Sequence, residues 1–133
     1  GTMTAVGISG VEPATLTLWE AIDDEDVVLV RELIAAGASL TGANRMGFTA
    51  LHRATSQGLD LVVRVLVSEG KPPLNAQDRV GNTALHVAAG RGYLRSMTIL
   101  LDAGADPSLA RDDGKLALHL AMDACALDAA LLL

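Results

Sequence analysis

The chain has 133 residues, which fits one domain of ordinary size, and its formal net charge is −6. This negative charge argues against broad non-specific binding to nucleic acid, because neutralising phosphates requires a basic surface. Half of the residues are hydrophobic, but the aromatic ones are limited to Trp19, Phe48 and Tyr93, so small aliphatic side chains must fill the core. That composition favours closely packed helices over a β-sandwich.

The first 14 residues predict a flexible lead-in, because they contain glycines and have neither a basic segment nor a long apolar run. Their Gly-Thr-Met start resembles a cloning scar before a native Met3. No stretch approaches the roughly 18 consecutive apolar residues of a membrane span, so we expect no membrane association. The single cysteine, Cys125, cannot form an intrachain disulfide, which favours the cytoplasm or the nucleus.

Two short motifs recur along the chain in phase with each other, and they predict a repeat architecture. The histidines of a Leu-His motif stand 34 and 33 residues apart, at His52, His86 and His119. The glycines of a second motif stand 33 and 34 residues apart, at Gly37, Gly70 and Gly104. The extra residue of the longer unit falls in residues 71–74, where we expect a loop to absorb it.

Each unit predicts two short helices followed by an extended turn. The four units cover, in chain order, about residues 15–43, 44–77, 78–110 and 111–133. In the third unit, Leu85, Ala88 and Ala89 have the i, i+3, i+4 spacing of one apolar helical face, and Gly92 ends that helix. A second apolar helix is predicted to follow and to end at Gly104.

These motifs resemble the ankyrin repeat. Residues 78–89 read Asp-Arg-Val-Gly-Asn-Thr-Ala-Leu-His-Val-Ala-Ala and match the Asp-x-x-Gly-x-Thr-x-Leu-His-x-Ala-Ala pattern of that family. The resemblance covers about residues 16–133 and implies an all-α ankyrin-repeat solenoid of about four stacked helix-turn-helix units joined by β-hairpin-like loops. The outer units drift from the pattern, as terminal repeats commonly do. Trp19 and Glu25 replace the histidine and the glycine in the first unit, and Leu116 replaces the threonine in the last.

Residues that could carry chemistry are better explained by the repeat. The histidines of stacked units would lie roughly 10 Å apart, whereas metal ligands lie about 2 Å from one centre. The resemblance implies that each imidazole instead bonds the next turn and a threonine, and Thr49 and Thr83 are in place. The acidic residues 23–26 lack the calcium-loop pattern, and Cys125 lacks a catalytic partner in the sequence. We therefore expect no catalytic residue, no metal, no cofactor and no enzyme activity.

The resemblance also implies that a partner binds the concave face, which is lined by the hairpin tips and the ends of the first helices. By position in the repeat, the predicted partner-binding residues are Arg45, Met46, Phe48, Ser56, Gln57, Arg79, Val80, Asn82, Arg91, Asp112 and Lys115. Arginine and aromatic residues are common interface hot spots, and methionine suits adaptable surfaces. This set predicts a protein or peptide partner with acidic and apolar contacts. The alternative for Phe48 is that it only packs on the neighbouring hairpin.

The expected function is that of a protein-binding scaffold or adaptor, monomeric on its own. Two alternatives remain open. The chain could be a regulatory inhibitor that masks a transcription factor or an enzyme, or an accessory domain of a larger enzyme such as a ubiquitin ligase. The apolar residues 131–133 occupy a place where a polar cap is expected. They predict contact with a further repeat or a partner, or else leucines that fold inward.

Overall fold

The computed structural model describes residues 13–124 and 126–133, which form four helix pairs stacked side by side. The first helices of the pairs are α1 (Pro13–Asp23), α3 (Ala50–Ser56), α5 (Ala84–Arg91) and α7 (Ala117–Asp123). The second helices are α2 (Val27–Ala35), α4 (Asp60–Val65), α6 (Leu94–Asp102) and α8 (Leu127–Leu132). Each first helix contacts the next first helix, and each second helix contacts the next second helix. The described residues contain no strand, and the predicted all-α solenoid is confirmed.

The N-terminal end of the repeat region lies slightly earlier than expected. Helix α1 begins at Pro13, and proline suits the first turn because its backbone nitrogen needs no partner there. Residues 13 and 14 are therefore helical rather than part of the predicted lead-in. The rest of that lead-in, with its scar, lies outside the described residues, and so does Cys125. Among the described residues, no helix is both long enough and apolar enough to cross a bilayer.

The core runs continuously along the stack and repeats with it. The first helices form one layer of the stack and the second helices form the other. One equivalent position in each first helix is a buried alanine, namely Ala21, Ala54, Ala88 and Ala121. Their small side chains let neighbouring first helices approach closely, as native packing density requires. Large aliphatic side chains fill the space between the two layers, and the fully buried ones include Leu18, Leu51, Leu66, Leu85 and Leu100. Burying each such leucine contributes about 1.5–3 kcal/mol.

The extra residue of the second repeat is absorbed by its second helix and not only by the loop. In the first and third repeats, a glycine with left-handed backbone ends this helix, at Gly37 (φ 92°) and Gly104 (φ 105°). In the second repeat, α4 continues into a π turn (Leu66–Gly70), and the left-handed residue is Lys71 (φ 49°). A π turn holds one more residue than an α turn, so it shifts the helix end by one position. The loop expectation was therefore incomplete.

Candidate functional site

Three turns, one before each of α3, α5 and α7, carry the predicted binding face. In each turn a backbone amide donates to the carbonyl four residues later. These bonds are Asn44 N to Phe48 O (3.0 Å), Asp78 N to Asn82 O (2.9 Å) and Arg111 N to Lys115 O (2.9 Å). The turns thus have the closed, hairpin-like form that the sequence predicts, although the described residues contain no strand.

Neighbouring turns are bonded directly to one another. The Arg79 amide donates to the Met46 carbonyl at 3.0 Å, and the Asp112 amide donates to the Val80 carbonyl at 3.0 Å. The turns approach so closely that a Cβ at Gly81 would lie 2.8 Å from the next turn's backbone. These contacts make the three tips one connected row, which we call the tip row.

Two buried histidines form hydrogen bonds to the second and third turns of the tip row. His52 Nε2 donates to the Asn82 carbonyl at 2.8 Å, and His86 Nε2 donates to the Lys115 carbonyl at 3.1 Å. In each ring Nδ1 accepts the amide of the threonine three residues earlier, at 3.2 Å and 3.1 Å. Burial lowers the pKa of both histidines, so the neutral rings keep these roles near neutral pH. The structure confirms that the imidazoles tie neighbouring units together, and it leaves neither ring free for a metal.

Part of the predicted binding set is exposed and unpaired. Met46 is 57% exposed and Val80 is 49% exposed, and they sit on adjacent tips. The charged members with no side-chain partner among the described residues are Arg45, Arg79, Arg91 and Asp112. An exposed arginine therefore precedes an exposed apolar residue on each of the first two tips. The third tip carries Asp112 at the position that arginine occupies on the second.

Other members of the predicted set are engaged within the chain. Phe48 is half-buried and stacks on the His52 ring, with 5.4 Å between centroids and 17° between planes. Phe48 therefore packs against its own repeat as well as standing near the tip row. The Lys115 ammonium lies 2.7 Å from an Asp123 carboxylate oxygen, which offsets its charge.

The three remaining polar members also donate to or accept from nearby groups. The Gln57 amide donates to the Asp23 carboxylate at 2.7 Å, and the Ser56 hydroxyl donates to a carbonyl of its own helix at 2.9 Å. The Asn82 amide donates to Asp78 Oδ2 at 3.2 Å, and its oxygen accepts from Arg111 at 3.4 Å. These side chains support the turns and the first-helix layer, and their polar groups are only partly available to a partner.

One exposed feature was not anticipated from the sequence. The second-helix layer contains an open groove of about 610 Å³ between α4 with its π turn and α6. Val67, Leu94 and Ile99 line it, and their positions in the repeat predict only that they pack within the second-helix layer. No signal in the sequence distinguishes the side chains of this layer that stay open to solvent.

Two comparisons with known families bear on this arrangement. A model described as "Ankyrin repeat" matches residues 46–79, and a model described as "Ankyrin repeats (many copies)" matches residues 66–121. Together they cover residues 46–121, which is more than half of the chain and contains the second and third tips and most of the first. Among curated proteins, none matches this sequence.

Proposed function

The chain belongs to the ankyrin repeat family, and from this premise we propose that it is a scaffold or adaptor that captures a partner protein on its tip row. Ankyrin repeats are generally protein–protein interaction modules. One observation supports the tip row as the binding surface. An exposed arginine without a side-chain partner is followed by an exposed apolar residue on two adjacent tips, as Arg45–Met46 and as Arg79–Val80. Two equivalent charged and apolar positions side by side suit a partner that carries carboxylates next to apolar side chains.

The tip row is ordered before any partner arrives. The backbone bonds between tips and the buried histidines fix the positions of Arg45 and Arg79 relative to each other at the level of the main chain. A surface that is already ordered loses less conformational entropy on binding, so more of the contact energy appears as affinity. This favours recognition over a purely structural role for the exposed tip residues.

The charge of the tip row also has a direction. The first two tips present the unpaired Arg45 and Arg79, Arg91 adds positive charge at the end of α5, and the third tip presents the unpaired Asp112. A partner segment whose acidic end lies over the first two tips and whose opposite end is neutral or basic would match this order. Complementary charge of this kind chiefly sets orientation and association rate.

The test compares two charge-matched double variants. Arg45→Glu/Arg79→Glu reverses the tip row, and Arg64→Glu/Arg95→Glu makes the same charge change on the second-helix layer. We expect affinity capture followed by mass spectrometry to lose its specific partner with the first variant and to keep it with the second. Phe48 is left intact because its stacking on His52 would confuse loss of binding with loss of packing. Equal capture by the tip-row variant and the wild type would refute the assignment of this face.

A further inference from the structure

The groove on the second-helix layer exposes apolar side chains and is bounded on one side by the π turn. The π turn contributes Val67 and Ser68, and α6 contributes Leu94, Thr98 and Ile99. Leu94 is 37% exposed, and Val67 and Ile99 are half-buried, so apolar surface remains open to solvent inside the groove. The π turn itself forms one wall, and such turns in helices are frequently found at functional sites. The groove shares no residue with the tip row.

Two arginines stand at one end of this groove without partners. Arg64 and Arg95 line both the groove and an adjoining depression of about 390 Å³, so they lie between the two. Neither forms an ion pair with any described residue, whereas Arg31, Arg53 and Arg111 each do. Free guanidinium groups beside open apolar surface, on a chain with a net charge of −6, are complementary to a carboxylate-bearing apolar ligand.

The carboxylates nearby do not satisfy these arginines. Asp60 lines the adjoining depression, and its Oδ1 accepts a hydrogen bond from the buried Ser96 hydroxyl at 3.0 Å. Asp102 lines the groove from the last residue of α6, whereas Arg95 is the second residue of that helix. Glu25 lies in the adjoining depression only. The edge of the groove at Arg64 and Arg95 therefore keeps its positive charge available.

The arginines and the apolar residues follow helical spacing on both walls. Arg64 and Val67 stand at i and i+3 along α4 and its π turn, Arg95 and Ile99 stand at i and i+4 on α6, and all four line the groove. Residues three and four apart share one helical face, so each wall presents charge beside apolar surface along the groove. Helix α6 has nine residues and is therefore about 13.5 Å long at 1.5 Å per residue. A ligand helix of about two and a half turns would match that length.

We propose that this groove binds an acidic amphipathic helix of a second partner protein. Its apolar side chains enter between α4 and α6, and its carboxylates pair with Arg64 and Arg95, which is the helix-in-groove mode of recognition. Because the groove and the tip row use separate residues on separate helix layers, both can be occupied at once. The chain would then bridge two partners, which goes beyond capture of one partner on the tips.

The probe is a fluorescein-labelled helical peptide of Leu, Ala and Glu, with leucines at i, i+3, i+4 and i+7 and glutamates beside them. We expect fluorescence anisotropy to show binding to the wild type and a loss of roughly tenfold or more in affinity with Arg64→Glu/Arg95→Glu. Arg45→Glu/Arg79→Glu makes the same charge change and should bind the peptide as the wild type does. A peptide with lysine in place of every glutamate should not bind.

A second variant tests the shape of the groove without changing its charge. Thr98→Trp fills the groove at an exposed helical position without changing the net charge, and it should also abolish peptide binding. Amide chemical-shift mapping of the wild type should place the largest shifts at residues 64–68 and 94–99. Absence of peptide binding, equal affinity in Arg64→Glu/Arg95→Glu, or shifts confined to the tip row would each overturn the proposal. Tip-row capture should be lost in Arg45→Glu/Arg79→Glu and peptide binding in Arg64→Glu/Arg95→Glu, so either site can fail alone.

Discussion

The two central repeats and the two terminal repeats differ in how the Leu-His position is used. In the central repeats, His52 and His86 are almost completely buried, and each donates to the next turn. In the first repeat the position holds the buried Trp19, and in the last repeat His119 is exposed and its Nε2 has no partner among the described residues. The histidine therefore acts between repeats, because it stabilises the stack only where a following turn supplies a carbonyl acceptor.

The junction between the first and second repeats uses a different set of contacts. The Asp23 carboxylate accepts from Arg53 Nε at 2.8 Å, from Arg53 Nη2 at 2.7 Å and from the Gln57 amide at 2.7 Å. The Arg53 guanidinium also lies 5.7 Å from the Trp19 ring centroid. Stability in a solenoid is approximately a sum of repeat terms and nearest-neighbour interface terms. The two kinds of junction should therefore respond differently to mutation and to pH.

The largest expected effect is the loss of a central histidine. His52→Ala removes the ring on which Phe48 stacks, leaves the Thr49 amide without its partner and removes one of the two hydrogen bonds to the Asn82 carbonyl. The orphaned buried amide, the lost hydrogen bond and a new cavity should together lower the free energy of unfolding by about 3 kcal/mol or more. His119→Ala is the matched control, and we expect it to cost less than about 1 kcal/mol because that ring is exposed. Urea denaturation measures both, and equal losses would end the distinction between central and terminal histidines.

A somewhat smaller effect is expected at the close contact between the first two repeats. A Cβ at Gly70 would overlap with Leu40 Cδ1, so Gly70→Ala must displace a buried side chain and should cost about 1–3 kcal/mol. Gly90 makes a matched control because it is also helical and its nearest contact to an added Cβ is 3.9 Å away. Gly90→Ala should instead stabilise by about 0.5–1 kcal/mol, since alanine is the better helix former. Thermal denaturation of both variants gives the sign, and destabilisation by Gly90→Ala would contradict the packing argument.

As the pH falls, the contacts that His52 and His86 make with the next turn should weaken before the Asp23–Arg53 contact between the first two repeats does. Burial lowers the pKa of His52 and His86 below their ordinary value of 6.5, so the unfolded chain takes up protons first. The stability they confer is complete above about pH 6.5 and is lost as the pH falls toward their folded-state pKa. The hydrogen bond from Arg53 lowers the pKa of Asp23 from 3.8, so that contribution is lost only below about pH 3.8. Urea denaturation at several pH values between 8 and 5 should show that the free energy of unfolding falls with pH, and His52→Gln should reduce that fall. The same pH dependence in this variant would show that His52 is not the cause.

The features that sequence predicted well depend on neighbours in the chain. Thr49 and His52 stand three residues apart at a helix start, so their mutual bonds follow from local geometry. The exposure of Arg45 and Arg79 follows from their equal phase on successive turns. Such features recur with the repeat, and one well-formed unit is enough to define them.

The features that sequence missed depend on residues far apart along the chain. The second helix of the second repeat ends in a π turn at Gly70, where the chain packs against Leu40 of the preceding repeat. Gln57 is held by Asp23, which stands 34 residues earlier, so its place at the end of a first helix did not reveal that it was engaged. The outer groove requires α4 and α6 side by side, and only the structure defines the space between them.

The smallest expected effect concerns the ion pairs of the two terminal repeats. The side chains of Arg53 and Asp23 are 38% and 35% exposed, and those of Lys115 and Asp123 are 46% and 58% exposed. Solvent screens both pairs, so double-mutant cycles to alanine should give a coupling energy below about 1 kcal/mol for the first pair. The first pair has the bidentate geometry of arginine on a carboxylate and joins two repeats, whereas Lys115 makes a single contact. Coupling should therefore be measurable for Arg53–Asp23, close to zero for Lys115–Asp123, and reduced for the first pair in 1 M salt. A larger coupling for Lys115–Asp123 would mean that the last repeat depends on surface charge more than the first, which is the reverse of what the contacts indicate.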